Sequence, residues 1–303
     1  MIVWTRRDES FKVYSNKHWN NIIMDANNQR SVLIATIVYF FVELFGGLYY
    51  NSLALVTDAS FMAINVTGQL VALYVVWLTK KSPTKTKTFG YERAKVLSGL
   101  FNGILVGFLL FYVFFDAYNK ILHPEPLEAD KILLIAVIGL AVNAYGFFMF
   151  YKHTADINLK GATMLILNDL LGSVGVIAAA IIIRFTGLYV VDALTGVLIA
   201  LLVAYPTYFL IRDSIHILME GNPGKIDPEE VETYIYKNFP DISEIKDMHI
   251  WGLSTEKIML AVRVRTNGTT YQREGIRDMK SNLRSQFGFS DIYLELYEHK
   301  HSN

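Results

Sequence analysis

Four carboxylates stand inside stretches that are otherwise apolar: Glu43, Asp58, Asp169 and Asp192. A charged side chain at bilayer depth costs about 2.5–3.5 kcal/mol on insertion scales, so each marks a functional site unless a structural partner accounts for it. Asp58 and Asn65 are two helical turns apart and share one helix face, with Phe61 between them. Asp169 opens the run Asp169-Leu170-Leu171-Gly172-Ser173-Val174-Gly175, whose small residues let a second helix approach closely. A carboxylate placed there faces other helices, not lipid. Carboxylate and amide oxygens at such an interface suit a cation path; an interhelical hydrogen-bond network is the plainer alternative. Glu43, one turn before Gly46-Gly47, reads equally as a helix-end carboxylate reaching the outer interface. Asp192 and Asp116 sit close enough to the ends of their stretches to be solvated. Asn102 and Asn143 suit hydrogen bonds between helices.

The elements that must position these groups follow from composition. The chain has 303 residues, 52% hydrophobic and 18% charged, against roughly 45–50% and 25% for ordinary globular proteins. The excess is pooled into six runs, about 32–50, 53–78, 96–118, 132–151, 162–183 and 188–211. Each is long enough to cross a ~30 Å hydrocarbon core as a helix. The first thirty residues are polar and lack a signal-peptide pattern. With 28 basic and 28 acidic side chains there is no basic field to attract nucleic acid. Zero cysteines remove disulfides, thiolate zinc sites and a cysteine nucleophile. No HExxH, GxSxG or P-loop pattern occurs, so neither an enzyme nor an ATP-driven pump is indicated.

Basic residues are unevenly placed. Arg6, Arg7, Lys12, Lys17 and Arg30 precede the first span, and Lys80, Lys81, Lys85, Lys87, Arg93 and Lys95 lie between the second and third. The loop after span one has no basic residue, and that after span five has only Arg184. This bias predicts both termini in the cytoplasm. Beyond Arg212 the composition turns ordinary. Gly221 to Pro228 is a turn-rich linker, and Asp227-Pro228-Glu229-Glu230 is a helix start. A helix to about Phe239, strands near 243–251 and 257–266, a helix near 270–287 and a strand near 290–298 give the order αββαβ. The sequence therefore reads as a leader over 1–30, a six-span transmembrane domain over 31–215 and a small two-layer α+β domain over 216–303.

Six groups of residues in order closely resemble the cation diffusion facilitator family of metal–proton antiporters, in its zinc-type branch. They are Ser52-Leu53-Ala54-Leu55-Val56-Thr57-Asp58-Ala59; Phe89-Gly90-Tyr91-Glu92-Arg93; Asn158-Leu159-Lys160-Gly161-Ala162; Asp169 to Val176; Leu218-Met219-Glu220-Gly221-Asn222-Pro223; and His249-Ile250-Trp251. The match runs from about Asn27 to Glu298. The resemblance implies a homodimer of six-span protomers with a cytoplasmic ferredoxin-like domain. It also implies export of Zn2+ or a similar ion from the cytosol in exchange for protons, with no prosthetic group. The family's transport site is tetrahedral, an HxxxD or DxxxD pair from span two and an HxxxD pair from span five. Such i, i+4 pairs put two ligands on one face of each helix, and protonating them releases the metal.

This sequence departs from the pattern at that site. Phe61 and Asn65 stand where the family has His or Asp and then Asp; Leu165 stands where it has His; only Asp169 is kept. Lys95 also replaces the usual Glu after the FGYxR loop. Two readings follow. In one, the protein transports a cation through an oxygen-only site of Asp169, Asn65 and Asp58, which favours harder ions such as Mg2+ or Mn2+ (Fe2+ among the candidates) over Zn2+. In the other, it is a transport-deficient member acting as partner or regulator of an intact paralogue, as in a heterodimer. In the C-terminal domain His249, Asp291, His299 and His301 are candidate ligands of a second, mixed nitrogen and oxygen site. The lack of a targeting segment points to a bacterial inner membrane.

Overall fold

The computed structural model describes residues 31–151, 157–224, 226–266 and 273–297. Six helices are long and apolar enough to cross a membrane. They are α1 (Ser31–Tyr49), α2 (Leu53–Thr79), α3 (Arg93–Leu122), α4 (Ala129–Tyr151), α5 (Ile157–Thr186) and α6 (Val190–Leu218). Several extend past the apolar runs because polar residues continue the turn: Asp116 and Lys120, one turn apart near the end of α3, pair at 3.6 Å. Many large apolar side chains on these helices point outward, among them Leu73, Phe108, Phe111 and Tyr205. Exposed apolar area of that extent marks a surface that lipid covers. The molecule is an integral, multi-pass membrane protein with a small α+β region at its C-terminal end.

The chain divides into two compact units that cut across helices. One comprises Met1–Asn65 with Phe108–Val203; the other comprises Val66–Gly107 with Ala204–Asn303.

In the first unit the turn joining α1 to α2 is tight. The Tyr50 amide donates to the Gly46 carbonyl and the Ser52 amide to the Gly47 carbonyl, both at 2.9 Å. Asn51 takes a left-handed φ of 55°, which asparagine tolerates better than most residues. The Lys120 ammonium donates to the Asn51 carbonyl at 2.6 Å. Asp192 is not solvated, contrary to the expectation from its position. It is 1% exposed and caps α2 from outside that helix, taking the Ser52 hydroxyl and the Leu53 amide at 2.5 Å each. A helix start leaves its first amides without intrahelical partners, and this carboxylate supplies one. Asn143 does what its type suggests: its side-chain amide on α4 donates to the Ser173 hydroxyl on α5 at 3.1 Å.

In the second unit the C-terminal region folds as α7 (Pro228–Asn238), β1 (Ile242–Gly252), β2 (Ile258–Thr266), α8 (Arg273–Phe287) and β3 (Asp291–Leu296). This is the expected αββαβ order, with the strand order β1-β2-β3. β1 pairs antiparallel with β2, and β2 pairs parallel with β3. The Asp227 carboxylate caps α7 by accepting from the Glu229 amide at 3.0 Å, with Pro228 in the first turn. Val231 and Ile235 of α7 and Met279 and Leu283 of α8 pack with Leu260, Val262, Val264 and Ile292 of the sheet. The alternation in β2 supplies that core on one face and Arg263 and Arg265 on the other.

The linker is held by specific bonds. Glu220, two residues beyond α6, takes a left-handed φ of 64° and pairs with Arg93 at 3.0 Å. A side chain at Gly221 would meet the His216 ring at 2.4 Å, so the ring would have to move to admit one. His216 itself reaches the Asn222 carbonyl at 2.7 Å. Lys95, the departure noted above, pairs with Glu92 at 3.4 Å and with Glu256 of the β1–β2 turn at 3.3 Å.

Candidate metal centre

The first unit carries carboxyl groups on three of its helices. On α1, Tyr39 and Glu43 are one turn apart and so share a face. The Tyr39 hydroxyl donates to Glu43 Oε1 at 2.7 Å, and both residues are buried, at 2% and 0% exposure. Tyr39 lies against the bare backbone of α4: a Cβ at Gly139 would fall 2.0 Å from its hydroxyl oxygen. On α2, Asp58 is 3% exposed and rests against α5, where a Cβ at Gly172 would come within 2.7 Å of Oδ1. Two glycines thus make the room in which these side chains sit.

The carboxyls of Glu43 and Asp58 approach to hydrogen-bonding range, and Asp169 of α5 is near enough to act on both through its charge. Ionised carboxylates only accept hydrogen bonds. Glu43 Oε2 and Asp58 Oδ2 are both buried without a hydrogen-bond partner. Burying unpaired charge is costly, and buried charges are normally paired or bound to metal. A group of this kind accepts a cation or protons and suits little else.

The other residues picked out in the sequence are placed as follows. Asn65 is half-buried on α2, two turns beyond Asp58. Phe61, at a position where the resemblance implies a ligand, is buried at 4% exposure. Leu165 belongs to α5, but its side chain lies outside what is described. Among the described residues, no three His, Asp or Glu side chains converge as a ready-made metal-holding group.

Glu43 is the residue whose placement the sequence left open. It does not reach an outer interface, because its side chain turns inward and is held by Tyr39. The signal was available in the spacing: Tyr39 and Glu43 sit at i, i+4, the relation that places two groups on one helix face.

In the α+β region His249 lies on β1 opposite Ala261 and is exposed. Asp291 begins β3 opposite Met259 and pairs with Arg284 at 3.8 Å. His299 and His301 lie outside the described residues. Two carboxylates of this sheet, Asp247 and Glu295, already have a cation. Arg263 reaches Asp247 at 3.2 Å and Glu295 at 2.9 Å. Hydrogen bonding to Asp247 and Glu295 raises the Arg263 guanidinium above its ordinary value.

Comparison with known proteins agrees with this architecture. Residues 30–219 match the model of the cation efflux transmembrane domain. The chain is 36% identical over 274 residues to the cation efflux system protein CzcD of Alcaligenes sp., covering 88% of this chain and 86% of that protein. It is 35% identical to the cadmium, cobalt and zinc/H(+)-K(+) antiporter of Bacillus subtilis, covering 75% of each chain. It is 31% identical to the zinc transporter ZitB of Escherichia coli, covering 81% of this chain and 80% of that protein. With six apolar helices, a C-terminal αββαβ region and a family match over most of the chain, this protein belongs to the cation efflux (cation diffusion facilitator) family as a zinc-transporter-like member.

Proposed function

We propose that the protein carries a divalent metal ion out of the cytosol in exchange for protons, through a transmembrane site built on Asp169, Asn65 and Asp58. The observation that carries this reading is Asp58: a buried carboxylate with an unpartnered oxygen, beside further carboxyls, inside helices that cross a membrane. Names of the relatives support the substrate class, since they are efflux proteins or transporters for zinc, cadmium and cobalt. Oxygen ligands without cysteine or buried histidine favour a harder ion, Mn2+ or Mg2+, over Zn2+. Exchange with protons is natural at such a site, because carboxylates must be deprotonated to bind metal.

The working form in this reading is a homodimer in a bacterial inner membrane, with both termini cytoplasmic. The leader covers 1–30, the transport domain 31–215 and the C-terminal domain 216–303. The last of these offers His249, Asp291, His299 and His301 as a regulatory metal site. The test is metal-driven proton flux in proteoliposomes, run with Zn2+, Mn2+, Mg2+ and Fe2+. Flux with at least one ion, lost in Asp169→Ala, is the expected result. Absence of flux with all four removes the transport reading.

A second reading has one observation in its favour. Phe61, which the resemblance puts at a ligand position, is buried, as expected if the fold persists after its chemistry is lost. The protein would then serve as the partner or regulatory subunit of an intact transporter. In that case flux appears only when the two chains are reconstituted together.

A further inference from the structure

Two buried carboxyls close to each other need a cation or a proton to offset their charge. Glu43 and Asp58 approach to hydrogen-bonding range, yet each keeps a buried oxygen with no hydrogen-bond donor. The arrangement is supported from behind on both sides. Tyr39 fixes Glu43 by donating to Oε1 at 2.7 Å, which leaves Oε2 as the free oxygen. Gly139 provides the space for Tyr39, and Gly172 the space for Asp58. A hydrogen bond that orients a ligand from its far side is the usual support of a metal-binding carboxylate.

The chemistry selects the occupant. Two carboxylates balance a double positive charge, and their donor set, with no sulfur or imidazole, is that of a hard cation. Asp169, acting on both by its charge, adds to the attraction. We propose that Glu43 and Asp58 are the pair that holds the transported ion, a hard divalent cation such as Mn2+, between α1 and α2. The ion-holding centre is thereby shifted from the α2–α5 pairing of the family pattern, where Phe61 and Leu165 stand, toward α1. This deepens the transport reading and rests on it for the ion's passage, though not for its binding.

The test is Mn2+ binding to the full-length chain in nanodiscs at fixed pH, read from loss of the free-ion signal in electron paramagnetic resonance. Wild type is expected to bind. Glu43→Gln and Asp58→Asn should each weaken binding at least tenfold, and Glu43→Asp, which keeps the charge, should retain most of it. Retention in Glu43→Asp shows that loss in Glu43→Gln is not a folding failure. If Glu43→Gln binds as wild type does, or if wild type binds no Mn2+ and the pair shares only a proton, the proposal is wrong. Parallel flux assays separate the two ideas. Flux that survives Glu43→Gln but not Asp169→Ala overturns this pair and leaves transport standing. Binding that depends on Glu43 in a chain without flux does the reverse.

Discussion

Two regions of this molecule are rich in carboxylates and treat them in opposite ways. On the open face of the three-stranded sheet, Asp247 and Glu295 share Arg263, and Glu244 pairs with Arg265 at 2.9 Å. These side chains are partly exposed, so water and a paired cation both reduce the cost of the charge. Within the membrane helices, Glu43 and Asp58 are buried, and the charged groups acting on them are other carboxyls. The first arrangement is complete without a ligand. The second leaves Glu43 Oε2 and Asp58 Oδ2 without a partner, which is what the proposed ion site requires.

The largest expected effect comes from closing that space. Gly172→Ala puts a methyl group 2.7 Å from Asp58 Oδ1 and 3.1 Å from its Cγ. Overpacking of this kind costs about 1–3 kcal/mol. Flux in proteoliposomes should fall about tenfold or more, while the protein still purifies as a folded species. Normal flux in Gly172→Ala would mean that Asp58 does not need its present position. An intermediate effect is expected at Asp192, whose carboxylate is satisfied by helix amides and not by a ligand. Asp192→Ala removes a cap and leaves the buried Ser52 hydroxyl and Leu53 amide without their acceptor, a loss of about 1–3 kcal/mol. Thermal stability in detergent should drop, with Mn2+ affinity changed less than twofold. A large loss of affinity at intact stability would instead place Asp192 in the ion path. The smallest effect is expected on the sheet face. Arg263→Ala should lower the melting temperature of the full chain by only a degree or two and leave flux unchanged. A strong loss of flux there would break the contrast between the two regions.

Much of this was written in the sequence. Six apolar runs gave six helices because a 20-residue apolar stretch has no other stable form in lipid. The αββαβ region followed from the cap at Asp227-Pro228 and from the alternation in β2. Both signals are local, so they survive without tertiary information. The site was only half legible. Asp58 and Asp169 drew attention as charges in apolar sequence, whereas Asp192, near the end of its run, read as solvated. Asp192 proved to be a helix cap, because Ser52 and Leu53 lie 140 and 139 residues away in sequence yet within 2.5 Å in space. Glu43 went the other way, from a helix-end candidate to the buried partner of Asp58.

The sequence by itself determined the number of spans, the family and the αββαβ order of the C-terminal elements. Periodicity, caps and residue identity act within a few turns of chain. Only the tertiary structure decided which carboxyls are satisfied. That depends on donors supplied by other helices, and on the bare backbone at Gly139 and Gly172 against which Tyr39 and Asp58 can rest. The cost of a buried charge is fixed by its surroundings, and those are assembled from segments far apart in the chain.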